Sequence, residues 1–187
     1  MGCCISKHPE TTKLVGPKRT IKMVLLGDEG VGKTTLRVKL CGGEHPGPTI
    51  GCDTGVLNRD ATTKIRVWDF SGAGRFSETL RPYVRGALVY VFCYAVSDRK
   101  SLERIRAYWL SWLVENPLRT KHALLILMAL KTDDDQAVLH NEGVETAAEL
   151  GMIHLWSPTE LVQEAVNFYL FCEMTGQQTF DSDHKTE

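Results

Sequence analysis

One stretch near the start constrains this chain more than any other: Gly27-Asp28-Glu29-Gly30-Val31-Gly32-Lys33-Thr34. It matches G-x-x-x-x-G-K-[ST], which demands a strand before it and a helix after it. Glycines let the backbone curl until successive N–H groups point at phosphate oxygens. Lys33 neutralises the β- and γ-phosphates, and the Thr34 hydroxyl is a ligand for Mg²⁺. The helix that follows adds its positive N-terminal end. At average composition the four fixed positions arise by chance in roughly one chain in a hundred of this length. The flanks fit the demand. Residues 21–26 form a short apolar run that reads as a buried strand, and 34–40 reads as the helix.

Composition bounds the rest. The chain has 187 residues, 43% of them hydrophobic and 24% charged, with a net charge of −1. These values fit one soluble globular domain and exclude a general disordered or collagen-like chain. No global positive field points to nucleic acid. The longest apolar runs, 86–96 and 123–130, fall well short of the ~20 residues that span a bilayer. The six cysteines show no C-x-x-C pair, and a chain this long buries a core without staples, so a reducing compartment is expected.

Beyond the first strand and helix, Gly- and Pro-rich residues 41–53 read as a loop. Segments 56–57 and 64–68 flank the turn residues Asn58-Arg59-Asp60, a half-buried hairpin. Further strands are expected at 87–95, 123–129 and 152–155. Helices are expected at 98–115, 141–150 and 159–173. In the first of these, Leu102, Ile105, Trp109, Trp112 and Leu113 share one face. Strands alternating with helices predict an α/β fold, a mostly parallel sheet covered by helices on both faces, with one antiparallel edge from the hairpin. Ligands then sit at the carboxyl ends of the strands. The domain is expected over 20–175, with a flexible basic arm at 1–19 and a polar tail at 176–187.

Further residues of the right chemistry follow in order. Asp69 ends a strand, where a carboxylate holds Mg²⁺ through a water. Thr49 lies on the Gly/Pro-rich loop, where its hydroxyl can close on the γ-phosphate and the metal. Gly72 offers a backbone N–H to the same phosphate. Taken singly, Asp69 reads as a turn-former and Thr49 as an ordinary loop threonine.

Together these residues resemble the Ras superfamily of small GTPases. Pro48-Thr49-Ile50-Gly51, Trp68-Asp69-Phe70-Ser71-Gly72, Arg75-Phe76 and Tyr83-Val84-Arg85-Gly86-Ala87 carry the resemblance, and the last two lean toward the Rab branch. It implies a three-layer P-loop NTPase fold with a six-stranded sheet, binding GTP or GDP with Mg²⁺. It also implies loops at 43–53 and 70–82 that order around the γ-phosphate and meet effector and regulator proteins. On that basis Gly27, Asp28, Glu29, Gly30, Val31, Gly32, Lys33, Thr34, Thr35, Thr49, Asp69, Gly72, Lys131, Asp133 and Ser157 are candidate nucleotide contacts. Thr34, Thr49 and Asp69 are candidate metal ligands.

Departures from the family pattern matter as much. Ala73 stands where the family has the Gln that orients the attacking water, and a methyl group cannot hold a water. Slow hydrolysis is expected. The base-reading Asn-Lys-x-Asp is Leu130-Lys131-Thr132-Asp133 here. Asp133 still offers two acceptors to guanine, and Lys131 can lay its stem along the base. Leu130 loses a hydrogen bond worth about 0.5–1.5 kcal/mol, so weaker binding is expected. Ser157-Pro158-Thr159 stands where the family has Ser-Ala-Lys. Asp134 and Asp135 read as surface acids, and Trp109, Trp112 and Met128 as core.

At the N-terminus, Met1-Gly2-Cys3-Cys4-Ile5-Ser6 fits the myristoylation pattern, with acylation at Gly2 and palmitoylation at Cys3 and Cys4. One acyl chain binds membranes only marginally, at K of about 10⁴ M⁻¹, so a second attachment is needed. Residues 1–22 carry five basic side chains against one acidic, a net +4 that leaves −5 on the remainder. Each basic group adds about 1 kcal/mol near an anionic leaflet. The sequence ends Asp183-His184-Lys185-Thr186-Glu187, without the prenylated cysteine usual in the family. The expectation is a lipid-anchored protein on the cytoplasmic face of the plasma or endosomal membrane. There it acts either as a Rab-like GTP/GDP switch in vesicle trafficking or as a pseudo-GTPase scaffold with little or no nucleotide turnover.

Overall fold

The computed structural model describes residues 19–44, 47–74 and 77–176. Its elements run β1 (Arg19–Leu26), α1 (Lys33–Cys41), β2 (Cys52–Asn58), β3 (Thr63–Phe70), α2 (Ser77–Leu80), a 3₁₀ turn (Arg81–Val84), β4 (Val89–Ala95), α3 (Arg99–Arg104), a π-type turn (Ile105–Leu110), α4 (Ser111–Val114), β5 (Leu124–Leu130), α5 (His140–Glu149), β6 (Ile153–Leu155) and α6 (Pro158–Thr175). The acylation residues Gly2, Cys3 and Cys4 and the pair Arg75-Phe76 lie outside the described residues. β1 begins at Arg19, inside the stretch read as arm, and pairs Arg19 with Thr63.

The six strands form one sheet in the order β2-β3-β1-β4-β5-β6. All neighbours are parallel except β2 and β3, which make the antiparallel edge expected from the hairpin. The turn between them closes on Asp60, whose Oδ1 accepts from the Thr62 and Thr63 backbone N–H groups. This is the job an Asp does in a turn.

β4 shows why central strands read as continuous apolar runs. Every residue from Val89 to Ala95 is buried. Tyr90, Phe92 and Tyr94 face one core with Trp109, Ile105 and Leu102, while Val89, Val91 and Cys93 face another with Leu36, Leu161 and Ala165. Two-residue alternation thus feeds two cores, one on each face of the sheet. The stripe from Leu102 to Leu113 is buried as its spacing predicts. The helical backbone widens into a π-type turn in the middle of that stripe.

The order of the strands positions the site. From β1 the chain crosses to the edge at β2 and returns through β3 beside β1, then passes to β4 on the other side and runs outward to β6, so the direction of winding reverses at β1, beside the Gly27 loop. The carboxyl ends of β1, β3 and β5 and the start of β2 meet on that rim. Among the described residues no helix is long and apolar enough to cross a membrane.

Beside the rim, α5 packs on a polar cluster. Trp156 Nε1 donates to His154 Nδ1 at 3.2 Å, which puts the ring proton on Nε2, 3.0 Å from Tyr94 Oη. Burial and the neighbouring His140 push the His154 imidazole down to about 4, so it is neutral. Gly143 of α5 covers this pair, and a Cβ there would lie 2.5 Å from both His154 Nε2 and Tyr94 Oη. Helix propensity favours alanine over glycine by roughly 1 kcal/mol, but the clash opposes it. Gly143→Ala is expected to lower stability by about 1–3 kcal/mol. Chemical denaturation checks the sign, and a stabilised variant would refute this packing.

Candidate functional site

The Gly27 loop leaves β1 and turns into α1 through three left-handed glycines, Gly27, Gly30 and Gly32, with φ of 139°, 79° and 108°. A Cβ on Gly27 would meet the Cys93 carbonyl oxygen at 2.2 Å, so glycine is required there for space as well as for φ. Lys33 is buried and folds back over the turn, donating to the Gly27 carbonyl at 2.9 Å and the Asp28 carbonyl at 2.7 Å. Burial pulls its ammonium below the ordinary lysine range. Val31 is buried, while Glu29 and Gly30 are exposed at the mouth.

Asp28 does not face the mouth. Its carboxylate accepts from Trp109 Nε1 at 2.8 Å and from Arg104 Nε at 2.9 Å. Trp109, expected to serve as core alone, therefore also ties the π-type turn to the phosphate loop. π-type turns recur at functional sites because they re-aim side chains.

Three segments converge at the start of α1. Thr34 Oγ1 donates to Asp69 Oδ2 at 2.6 Å. Thr49 Oγ1 lies 2.9 Å from Thr34 Oγ1 and 3.2 Å from Asp69 Oδ2. Thr49 thus brings its loop within hydrogen-bond distance of both side chains. Asp69 is fully buried. Burial pushes its carboxyl up, opposed by the Thr34 hydrogen bond, the Lys33 charge, the Thr49 hydrogen bond and the Arg37 charge. Its Oδ1 is buried without a hydrogen-bond partner. Two hydroxyls and a carboxylate with one uncommitted oxygen are hard donors of the kind Mg²⁺ takes, so the residues present fit that ion.

Gly72 presses on the loop from the β3 side. A Cβ there would lie 2.1 Å from the Glu29 nitrogen and 2.6 Å from the Asp28 oxygen. Ala73 follows, and its N–H donates to the Ser71 hydroxyl at 3.4 Å.

Two cavities adjoin on this rim. The first, about 370 Å³, is lined by Lys33, Thr34, Thr49, Gly72 and their neighbours. The second, about 380 Å³, is lined by Leu130, Lys131, Asp133, Trp156 and Pro158 among others, and shares Gly32, Thr35 and Lys131 with the first. One continuous depression thus joins the Gly27 loop to Lys131 and Asp133. Lys131 holds a left-handed φ of 55°, the one non-glycine residue among those described to do so. Such strain persists only where the surroundings over-determine it. Leu130 packs over the phosphate loop: a Cβ on Gly32 would sit 3.6 Å from Leu130 Cδ1. Apolar contact replaces the hydrogen bond that an Asn would make.

Ser157, expected at the base, stands at the start of α6. Its hydroxyl caps α6 by accepting from the Thr159 N–H at 3.2 Å, the ordinary role of Ser just before a Pro-initiated helix. Asp134 accepts from Ser97 at 3.1 Å and lines the second cavity, so it is more than a bare surface acid.

Two residues escaped the sequence reading. Trp156 presents an aromatic wall to the second cavity, and a Trp directly before a helix cap offers no motif to read. Arg37 is buried and reaches Asp53 and Asp69. Its trace in the sequence is spacing alone, one turn after Lys33 on the inner face of α1.

A family model described as "Ras family" matches residues 22–171. The chain is 28% identical over 174 residues to GTP-binding protein ypt2 of Schizosaccharomyces pombe, covering 88% of this chain and 86% of that one. It is 30% identical over 137 residues to Ras-related protein Rab-13 of Canis lupus familiaris, covering 70% and 67%. It is 31% identical over 140 residues to Ras-related protein SEC4 of Candida albicans, covering 71% and 65%. These matches span the strands and loops that build the rim, and with its phosphate loop and sheet order the chain belongs to the Ras family, as a Rab-like small GTPase.

Proposed function

We propose that this protein is a membrane-anchored GTP/GDP switch of vesicle trafficking whose own hydrolysis of GTP is slow. The convergence of Thr34, Thr49 and Asp69 carries the reading. A hydroxyl from the 43–53 loop meets the phosphate-loop hydroxyl and a buried carboxylate, so that loop's position depends on what the phosphate loop holds. Thr34, Thr49 and Asp69 would hold Mg²⁺, which neutralises charge on the β- and γ-phosphates when bound. Lys33 exchanges its grip on the Gly27 and Asp28 carbonyls for phosphate oxygens. The Gly72 N–H, pressed onto the loop, is the γ-phosphate's partner on the other side. Asp133 accepts from guanine N1–H and the exocyclic amine, which adenine cannot satisfy, while Lys131 and Trp156 flank the base.

The same rim accounts for slow turnover. Ala73 has no side-chain acceptor with which to hold and align a water. Loops 43–53 and 70–82 offer the surface for effectors and regulators, with Ile50 79% exposed. We infer that residues 1–18 attach the domain to the cytoplasmic face of a membrane through acyl groups on Gly2, Cys3 and Cys4. One feature favours a second reading, a pseudo-GTPase scaffold: Leu130 fills the place of the hydrogen bond between base loop and phosphate loop.

Titration of purified protein with labelled GTP, GDP and ATP separates the two. The switch binds both guanine nucleotides and discriminates against ATP, and Lys33→Ala abolishes binding; equal or absent binding of all three removes it. In a single-turnover assay with bound GTP, Ala73→Gln is expected to raise hydrolysis by about tenfold or more. An unchanged rate would show that water alignment is not what limits it. For the anchor, Gly2→Ala is expected to shift the protein from the membrane to the soluble fraction on cell fractionation, and persistent membrane binding would sink the acylation proposal.

A further inference from the structure

Arg37 is a buried charge in an unusual place. Its side chain is 8% exposed, on the α1 face that carries Lys33 and Thr34. Its Nη2 pairs with Asp53 Oδ2 at 2.7 Å at the start of β2. Its Nε lies 3.8 Å from Asp69 Oδ2 and makes no hydrogen bond. Asp69 Oδ2 is taken by two hydroxyls, while Oδ1 has no partner. A guanidinium therefore stands beside the carboxylate that would hold the metal. Arginine is otherwise seldom buried unless a charge compensates it.

The consequence is electrostatic. A divalent ion among Thr34, Thr49 and Asp69 would sit within a few ångströms of a fixed positive charge, in a poorly screened interior. The two cations compete for one carboxylate. The guanidinium meets part of the Asp69 charge that the ion would otherwise meet. We propose that Arg37 is a resident cation that takes over part of the magnesium ion's role, so that this chain holds its nucleotide with little dependence on Mg²⁺. Through Asp53 the same guanidinium ties the end of the 43–53 loop to α1, so the loop keeps an anchor when the metal leaves. Arg37 is a positioning and specificity-determining residue for the metal, and the proposal rests on the nucleotide-binding reading above.

The test is release of a fluorescent GDP analogue from the full chain, in magnesium and in EDTA. In the wild type, EDTA is expected to speed release by less than about threefold. In Arg37→Met, of similar volume and without charge, it is expected to speed release by about tenfold or more, and Arg37→Lys restores the wild-type ratio. Equal ratios in wild type and Arg37→Met, or strong acceleration in the wild type itself, overturn the proposal. Should Arg37→Met fail to fold by circular dichroism, Arg37→Gln keeps a donor to Asp53 and removes the charge. A second measurement separates this idea from the nucleotide reading: thermal unfolding of nucleotide-free protein against MgCl₂ alone. The neutral variant is expected to gain several degrees while the wild type does not move. If no protein binds the analogue, the nucleotide reading falls. The magnesium titration still decides Arg37, and an equal response in both proteins counts against it.

Discussion

A carboxylate sealed from water organises this protein. Asp69 ends a central strand with no exposure, and a charge in that position has to be answered from all sides. Thr34 and Thr49 answer it with hydroxyls, and Lys33 and Arg37 with charge. They come from three places: Lys33 and Thr34 from the start of α1, Thr49 from the loop before β2, and Arg37 from the inner face of α1. The need to satisfy one buried group therefore sets how close the 43–53 loop lies to the phosphate loop. A device that reports the contents of that loop can be built on such a contact, because whatever replaces a hydroxyl at Asp69 changes the position of the chain that carried it.

The same rim shows where this chain departs from its family without losing the architecture. Leu130 lies against the turn at Gly32 where a polar bridge is usual, and Trp156 walls the neighbouring cavity, held by His154. Leu130 and Trp156 together give the second cavity an apolar and aromatic side. In the proposed function, selectivity for the base leans on Asp133 and on the left-handed backbone at Lys131. Ala73 belongs to a different class of change. In the proposed function it slows turnover, because aligning a water needs an acceptor and a methyl group has none.

Much of the fold was legible beforehand, for reasons visible in single elements. β1 and β4 are buried on both faces, so they read as unbroken apolar runs. The hairpin at Asn58 carries its own turn chemistry in Asp60. The helical stripe from Leu102 to Leu113 was read from spacing. The widening of that helix was not, since π-type backbone has no composition of its own. Pro158 marks a helix start, and the serine before it caps that helix, a role that the Ser-Pro pair makes legible. Arg37 passed unremarked because one charged residue on a short helix looks solvated until its neighbours are known.

The strand–turn–helix around the Gly27 loop was determined by sequence alone. Its glycines, lysine and threonine act within eight consecutive residues, and contacts that local need no tertiary partner to be foreseen. Convergence was decided only by the tertiary structure. Thr49 reaches Thr34 across 15 residues, Asp69 reaches it across 35, and Trp109 reaches Asp28 across 81. These meetings follow from strand order, with β3 and β4 flanking β1, and strand order is settled by how two cores pack on opposite faces of one sheet. No local preference encodes it, which is why the ligand chemistry could be named from the sequence and the guanidinium beside it could not.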